Sequence, residues 1–132
     1  MHPEFLAKTH SLEPRFLIGE VAEMTGASPR AIRLYESLKL IPRPARRGTY
    51  RVYSERDVVV IHMIKHAQSV GFALAEIRDV IAEKIKLNRF PLKTAIAMVE
   101  RKRNALRAEI AALRDLDRRL AALRDVMNKN FA

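Results

Sequence analysis

The chain has 132 residues, 25 Lys and Arg against 15 Asp and Glu, no Cys, and a formal net charge of +10. That length allows one ordinary domain with an appended element, not an enzyme with a separate substrate module, and the absence of Cys excludes disulfide scaffolds, thiolate zinc sites, iron–sulfur clusters and thiol nucleophiles. No apolar run approaches the ~20 residues of a membrane span and no secretory signal opens the chain, so a soluble cytoplasmic protein without a membrane partner is expected, its excess charge suited to nucleic acid.

Residues 1–15 show no periodicity and read as a flexible extension. From Phe16 the pattern turns helical through Ile18, Val21, Ala22 and Met24, and Gly26 offers a stop. Ser28 before Pro29 reads as an N-cap with proline at the first helical position, opening a second short helix to about Leu38. Ile32, Tyr35 and Leu38 can turn inward there, while Arg30, Arg33 and Ser37 share another face. Two short helices about three residues apart make a helix-turn-helix candidate.

The stretch from Ile41 to Tyr53 carries Pro42 and Pro44 and ends in alternating β-formers, so it reads as a hairpin-like wing. The pairs Tyr50, Val52 and Arg51, Tyr53 are expected on opposite sides, one packing on the helices and the other meeting a partner. Ser54 with Asp57 three residues on resembles a capping box for a third helix, Glu55 to Val70. Gly71 ends it, and a fourth helix follows, roughly Ala75 to Lys84. The domain is thus drawn at 16–86, with a connector at 87–91 closed by Pro91.

Beyond the connector, Leu92, Val99, Leu106, Leu113, Leu120 and Met127 fall at successive positions spaced by seven, with Ile96, Ile110, Leu116 and Leu123 as companions. A helix over 92–127, with a short tail at 128–132, would be about 54 Å long at ~1.5 Å per residue. Its apolar stripe is too long to be covered by so small a domain. A second copy of the chain is the simplest partner; a solitary amphipathic helix is the competing reading.

The positive charge is concentrated. Between Ser28 and Arg56 eight basic residues meet only two acids, Glu36 and Glu55, so +6 of the net charge lies in 29 residues. Basic residues of the long helix are instead interleaved with acids, as on a solvated coiled-coil face. Recognition helix and wing together carry the Arg and Tyr side chains that grip phosphates and line grooves.

Four segments in order complete the reading: Ile18-Gly19-Glu20-Val21-Ala22 through Gly26-Ala27-Ser28; Ala31-Ile32-Arg33-Leu34-Tyr35-Glu36; Gly48-Thr49-Tyr50-Arg51-Val52-Tyr53-Ser54; and Gly71-Phe72-Ala73-Leu74-Ala75-Glu76-Ile77. Over about Phe16 to Lys84 the chain resembles the MerR family of bacterial transcription regulators. The resemblance implies an all-α fold with a small β wing, that is, a winged helix-turn-helix domain plus a long antiparallel coiled-coil dimerisation helix. It also implies a homodimer that binds an inverted repeat in promoter DNA, distorts the overlong spacer, and meets RNA polymerase through that shared promoter. The alternative is a repressor or architectural DNA-binding protein without such activation.

Carried onto this sequence, Ser28, Arg30, Arg33 and Tyr35 would lie at or beside the major groove. Arg43, Arg47, Tyr50, Arg51 and Tyr53 would form the wing contacts, with Lys65 and His66 as second-wing contacts. Two departures from the family pattern concern local stability: Lys39 where Gly is usual, a left-handed cap costing roughly 1 kcal/mol more than Gly, and Ala73 where a Ser or Thr cap is usual, costing ~1 kcal/mol.

No Cys stands where short members of the family sense metals or oxidants, at about Asn88 to Pro91 and after Met127, so thiolate metal sensing and redox sensing are excluded. His62 and His66 at i, i+4 are two ligands where a metal needs more, and packing or phosphate contact suits them better. No metal and no cofactor is expected. With no large effector domain after the long helix, a small ligand, a protein partner or no effector remain. No nucleotide-binding Gly loop, nucleophile motif or paired acids argue for catalysis, so the chain is not expected to be an enzyme.

Overall fold

The computed structural model describes residues 10–87 and 90–132, of which residues 84–87 are described by backbone alone. Residues 1–9 of the expected extension 1–15 and residues 88–89 of the expected connector 87–91 lie outside the described residues. In chain order the elements are β1 (Phe16–Leu17), α1 (Ile18–Thr25), α2 (Pro29–Ser37), β2 (Ala45–Arg47), β3 (Tyr50–Tyr53), α3 (Glu55–Ser69), α4 (Leu74–Leu87) and α5 (Leu92–Phe131). They fall into two units, residues 1–88 and 89–132.

In the first unit the helix boundaries follow from local chemistry. Gly26 takes a left-handed φ of 76° at the end of α1 and donates its N–H to the Ala22 carbonyl. Ser28 then caps α2, its Oγ accepting the Ala31 N–H at 3.0 Å, with Pro29 at the first helical position. At the far end of α2, Lys39 adopts φ 60°. The Lys39 N–H reaches the Glu36 carbonyl and the Leu40 N–H reaches the Tyr35 carbonyl, the paired bonds of a Schellman motif. A lysine therefore occupies the backbone conformation that glycine adopts most cheaply. Ser54 and Asp57 exchange the reciprocal bonds of a capping box at α3. At α4 the Ala73 side chain offers no acceptor, but Glu76 reaches back to the Ala73 N–H at 2.9 Å.

The wing is part of a three-stranded antiparallel sheet of order β1-β3-β2. Gly48, with φ 60°, opens the two-residue turn between β2 and β3. Strand β1 is an element the sequence reading did not anticipate, and it makes β3 central. The expected alternation along β3 fails at its end: Tyr50 is exposed and Arg51 half-buried, but Val52 and Tyr53 are both buried. The core gathers Val21, Ile32, Tyr35, Val52, Tyr53, Val58, Ile61 and Ile64 from α1, α2, β3 and α3. Ser11 and Arg15 are tied to this unit: the Ser11 N–H and the Arg15 guanidinium both donate to the Glu55 carboxylate, at 3.1 and 3.0 Å. The end of the sequence-expected flexible extension thus has fixed partners.

The second unit is dominated by α5, 40 residues and about 60 Å at ~1.5 Å per residue. It continues four residues past Met127, through the segment expected as a tail, because Asn128 and Asn130 are only mildly unfavourable helix formers, Lys129 is a good one, and no Gly or Pro intervenes. The fourth helix likewise runs past its expected end to Leu87. No helix among the described residues is long and apolar enough to cross a membrane.

Candidate nucleic-acid interface

The amphipathic division of α2 decides what it can present. Ile32 and Tyr35 are buried, while Arg30, Arg33 and Ser37 are exposed, so the guanidinium groups project from a helix whose other face is fixed in the core. Tyr35 is therefore corrected from a groove-side residue to a structural one. Its hydroxyl donates to Gln68 Oε1 on α3, and burial raises its pKa above the ordinary 10.0. The reason is spacing: Tyr35 sits three residues from Ile32, on the same face.

Tyr53 needs the same correction. It is fully buried and its hydroxyl has no hydrogen-bond partner among the described residues. Burial first, then the neighbouring Glu36 carboxylate, raises its pKa, so the phenol stays neutral. As the last residue of the central strand, opposite Phe16, it cannot reach a partner as a wing contact.

The other expected wing residues are accessible. Arg43 and Arg47 are exposed, and Tyr50 stands 67% exposed at the hairpin. Arg46, which the sequence reading did not single out, is exposed and donates to the Thr49 carbonyl across the turn at 3.1 Å. Arg51 is half-buried, and its Nε donates to Glu36 Oε2 on α2 at 2.9 Å. Sequence reasoning missed this pairing because the partners are 15 residues apart and on different elements; Glu36, one of only two acids in the basic stretch, was the available signal.

Arg33, Lys39, Arg43, Arg51 and Glu36 line one cleft of about 710 Å³, together with Ser37, Leu40, Ile41, Pro42 and Ile81. Ser28, Arg30, Arg47 and Tyr50 do not line it. Lys65 and His66 are exposed on α3. The His62 and His66 rings lie 6.1 Å apart. His62 Nδ1 is buried without a hydrogen-bond partner among the described residues, and burial, the main cause, lowers its pKa.

On α5 the six stripe residues, Leu92, Val99, Leu106, Leu113, Leu120 and Met127, are each between 45% and 65% exposed, and no residue of the helix is buried. The companions Ile96, Ile110, Leu116 and Leu123 are exposed as well.

A basic helix-turn-helix face beside a wing, followed by a long unpartnered helix, has relatives in sequence and structure. The family described as MerR HTH family regulatory protein matches residues 16–84, and that described as MerR, DNA binding, matches residues 58–123. The chain belongs to the MerR family of DNA-binding transcriptional regulators. It is 31% identical to the HTH-type transcriptional regulator ZntR of Escherichia coli K12, over 83% of this chain and 79% of that protein. It is also 47% identical to the mercuric resistance operon regulatory protein of Bacillus cereus over a shorter span, 48% of each. Among solved structures, the transcription regulator PbrR691 of Ralstonia metallidurans CH34 in complex with lead(II) matches with a TM-score of 0.58 and 27% identity, covering 84% of this chain and 86% of that one. HiNmlR, a MerR family regulator lacking the sensor domain and bound to promoter DNA, matches in fold with a TM-score of 0.56 at 19% identity, covering 87% and 94%. The MerR family and these relatives are transcriptional regulators, not enzymes.

Proposed function

We propose that the chain is a cytoplasmic homodimer that binds an inverted-repeat promoter operator and distorts the spacer DNA, acting on RNA polymerase through the promoter they share. The observation that carries this reading is the division of labour in the fold: a recognition helix and wing with an exposed basic face, and a 40-residue helix whose apolar stripe is uncovered. Two half-sites read by two copies account for both.

In this reading α2 presents Ser28, Arg30 and Arg33 to the major groove. Arg43, Arg47, Tyr50 and Arg51 contact the flanking backbone, and Lys65 and His66 add contacts from α3. The stripe from Leu92 to Met127 joins two copies. Binding energy offsets the deformation of the spacer, and part of the specificity is indirect.

The test combines transcription in vitro with duplex titrations at fixed salt, using a duplex selected from a randomised pool. Binding inside an overlong spacer should raise transcription. Arg33→Ala and Arg51→Ala should each weaken binding by about 1–3 kcal/mol, the wing variant affecting selected and random duplexes more equally. Unchanged isotherms for both variants would defeat the assignment.

A further inference from the structure

Glu36 is an anomaly in its surroundings. Of the described residues lining the cleft between the recognition helix and the wing, four are cationic, namely Arg33, Lys39, Arg43 and Arg51, and Glu36 is the one acid. A carboxylate there subtracts from the attraction for a polyanion. It is nevertheless well placed structurally: its side chain is 15% exposed and that of Arg51 29%, and the two meet through Nε and Oε2 at 2.9 Å.

Resting on the DNA-binding reading above, we infer that Glu36 is a positioning residue for specificity, which holds Arg51 and the wing in a fixed relation to α2 and restrains the wing from gripping phosphates indiscriminately. A charge-assisted hydrogen bond to Nε leaves the two terminal nitrogens of Arg51 as the free donors and fixes the plane of the guanidinium. The bond also spans α2 and β3, so the base-reading helix and the phosphate-contacting strand engage a duplex as one body. A duplex whose groove and backbone do not match that spacing gains one set of contacts only at the expense of the other.

The test uses the full chain, the duplex selected by the wild-type protein and a random duplex of equal length, each titrated over a range of salt. Glu36→Gln should lower the ratio of selected to random affinity about tenfold, a size expected for coupled neighbours. It should also steepen the salt dependence on the random duplex by about one, the mark of one added phosphate contact. Arg51→Lys, which keeps the charge but loses the Nε donor, should lower the ratio as well. In an Arg51→Ala background Glu36→Gln should leave the ratio at the value that background sets.

An unchanged ratio and slope in Glu36→Gln overturns the inference, as does an equal fall in the Arg51→Ala background. If the melting curve shows Glu36→Gln to be unfolded, Arg51→Lys decides alone, and an unchanged ratio overturns the inference. A wild-type protein that selects no duplex would defeat the functional reading itself and the inference with it, an outcome distinct from a selective wild type with an unresponsive Glu36→Gln.

Discussion

The two units handle apolar residues in opposite ways. In the first, Val21, Ile32, Ile61 and their neighbours from four elements close on one another and leave the solvent. In the second, leucines of the same hydrophobicity line one side of α5 and stay half-exposed. At roughly 25 cal/mol per Å², the first arrangement stabilises the chain that contains it, whereas the second yields its burial energy only on association. In the proposed homodimer, folding and assembly fall to different parts of one short sequence.

Mutations of similar size should separate these roles. Leu113→Glu, at the centre of the α5 stripe, should convert the proposed dimer to a monomer in sedimentation. It should weaken binding to a selected duplex on the order of a hundredfold, since the second half-site is no longer tethered. The melting of the first unit should hardly change; a dimer that survives the substitution would break the comparison. Ile61→Ala should behave conversely, lowering thermal stability by about 2–4 kcal/mol through loss of a fully buried side chain, while leaving association of α5 intact.

Two tyrosines sharpen the picture within the first unit. Tyr35→Phe removes the hydroxyl that donates to Gln68 and should cost about 1 kcal/mol in denaturant unfolding. Tyr53→Phe removes a buried hydroxyl without a partner among the described residues, and should leave stability unchanged or slightly raised, with duplex binding unaffected. A loss of binding in Tyr53→Phe would return that residue to the interface.

The smallest expected effect is on pH dependence. His62 has a folded pKa below its ordinary 6.5, chiefly from burial. Unfolding therefore takes up a proton, and the stability present above pH 6.5 declines as pH falls through that value toward the lower folded pKa. Melting temperatures followed from about pH 8 to about pH 5 should decline less in His62→Gln than in the wild type. Equal slopes would remove His62 from the account.

What the sequence made legible was what depends on near neighbours. The caps at Ser28 and Ser54, and the turn at Gly26, each rest on atoms within about four residues, and their hydrogen bonds are present. The stripe of α5 was legible because its period is a property of the chain alone. Tyr53 was misjudged because its burial depends on which elements pack over the faces of β3, which the strand's own residues do not specify. Tyr35 had competing readings, as a core aromatic and as a groove residue, and the inward face it shares with Ile32 decides between them. The Glu36–Arg51 pair has no local signature at all.

The left-handed Lys39 sets two selective demands against each other at one position. Glycine there would relieve the backbone by roughly 1 kcal/mol, making the end of the recognition helix sturdier. It would also strip an ammonium group from the rim of the basic cleft. A protein engineered for heat resistance at this position would therefore trade away attraction for a polyanion, and one tuned for grip would keep a slightly strained cap at the end of the helix proposed to read the duplex.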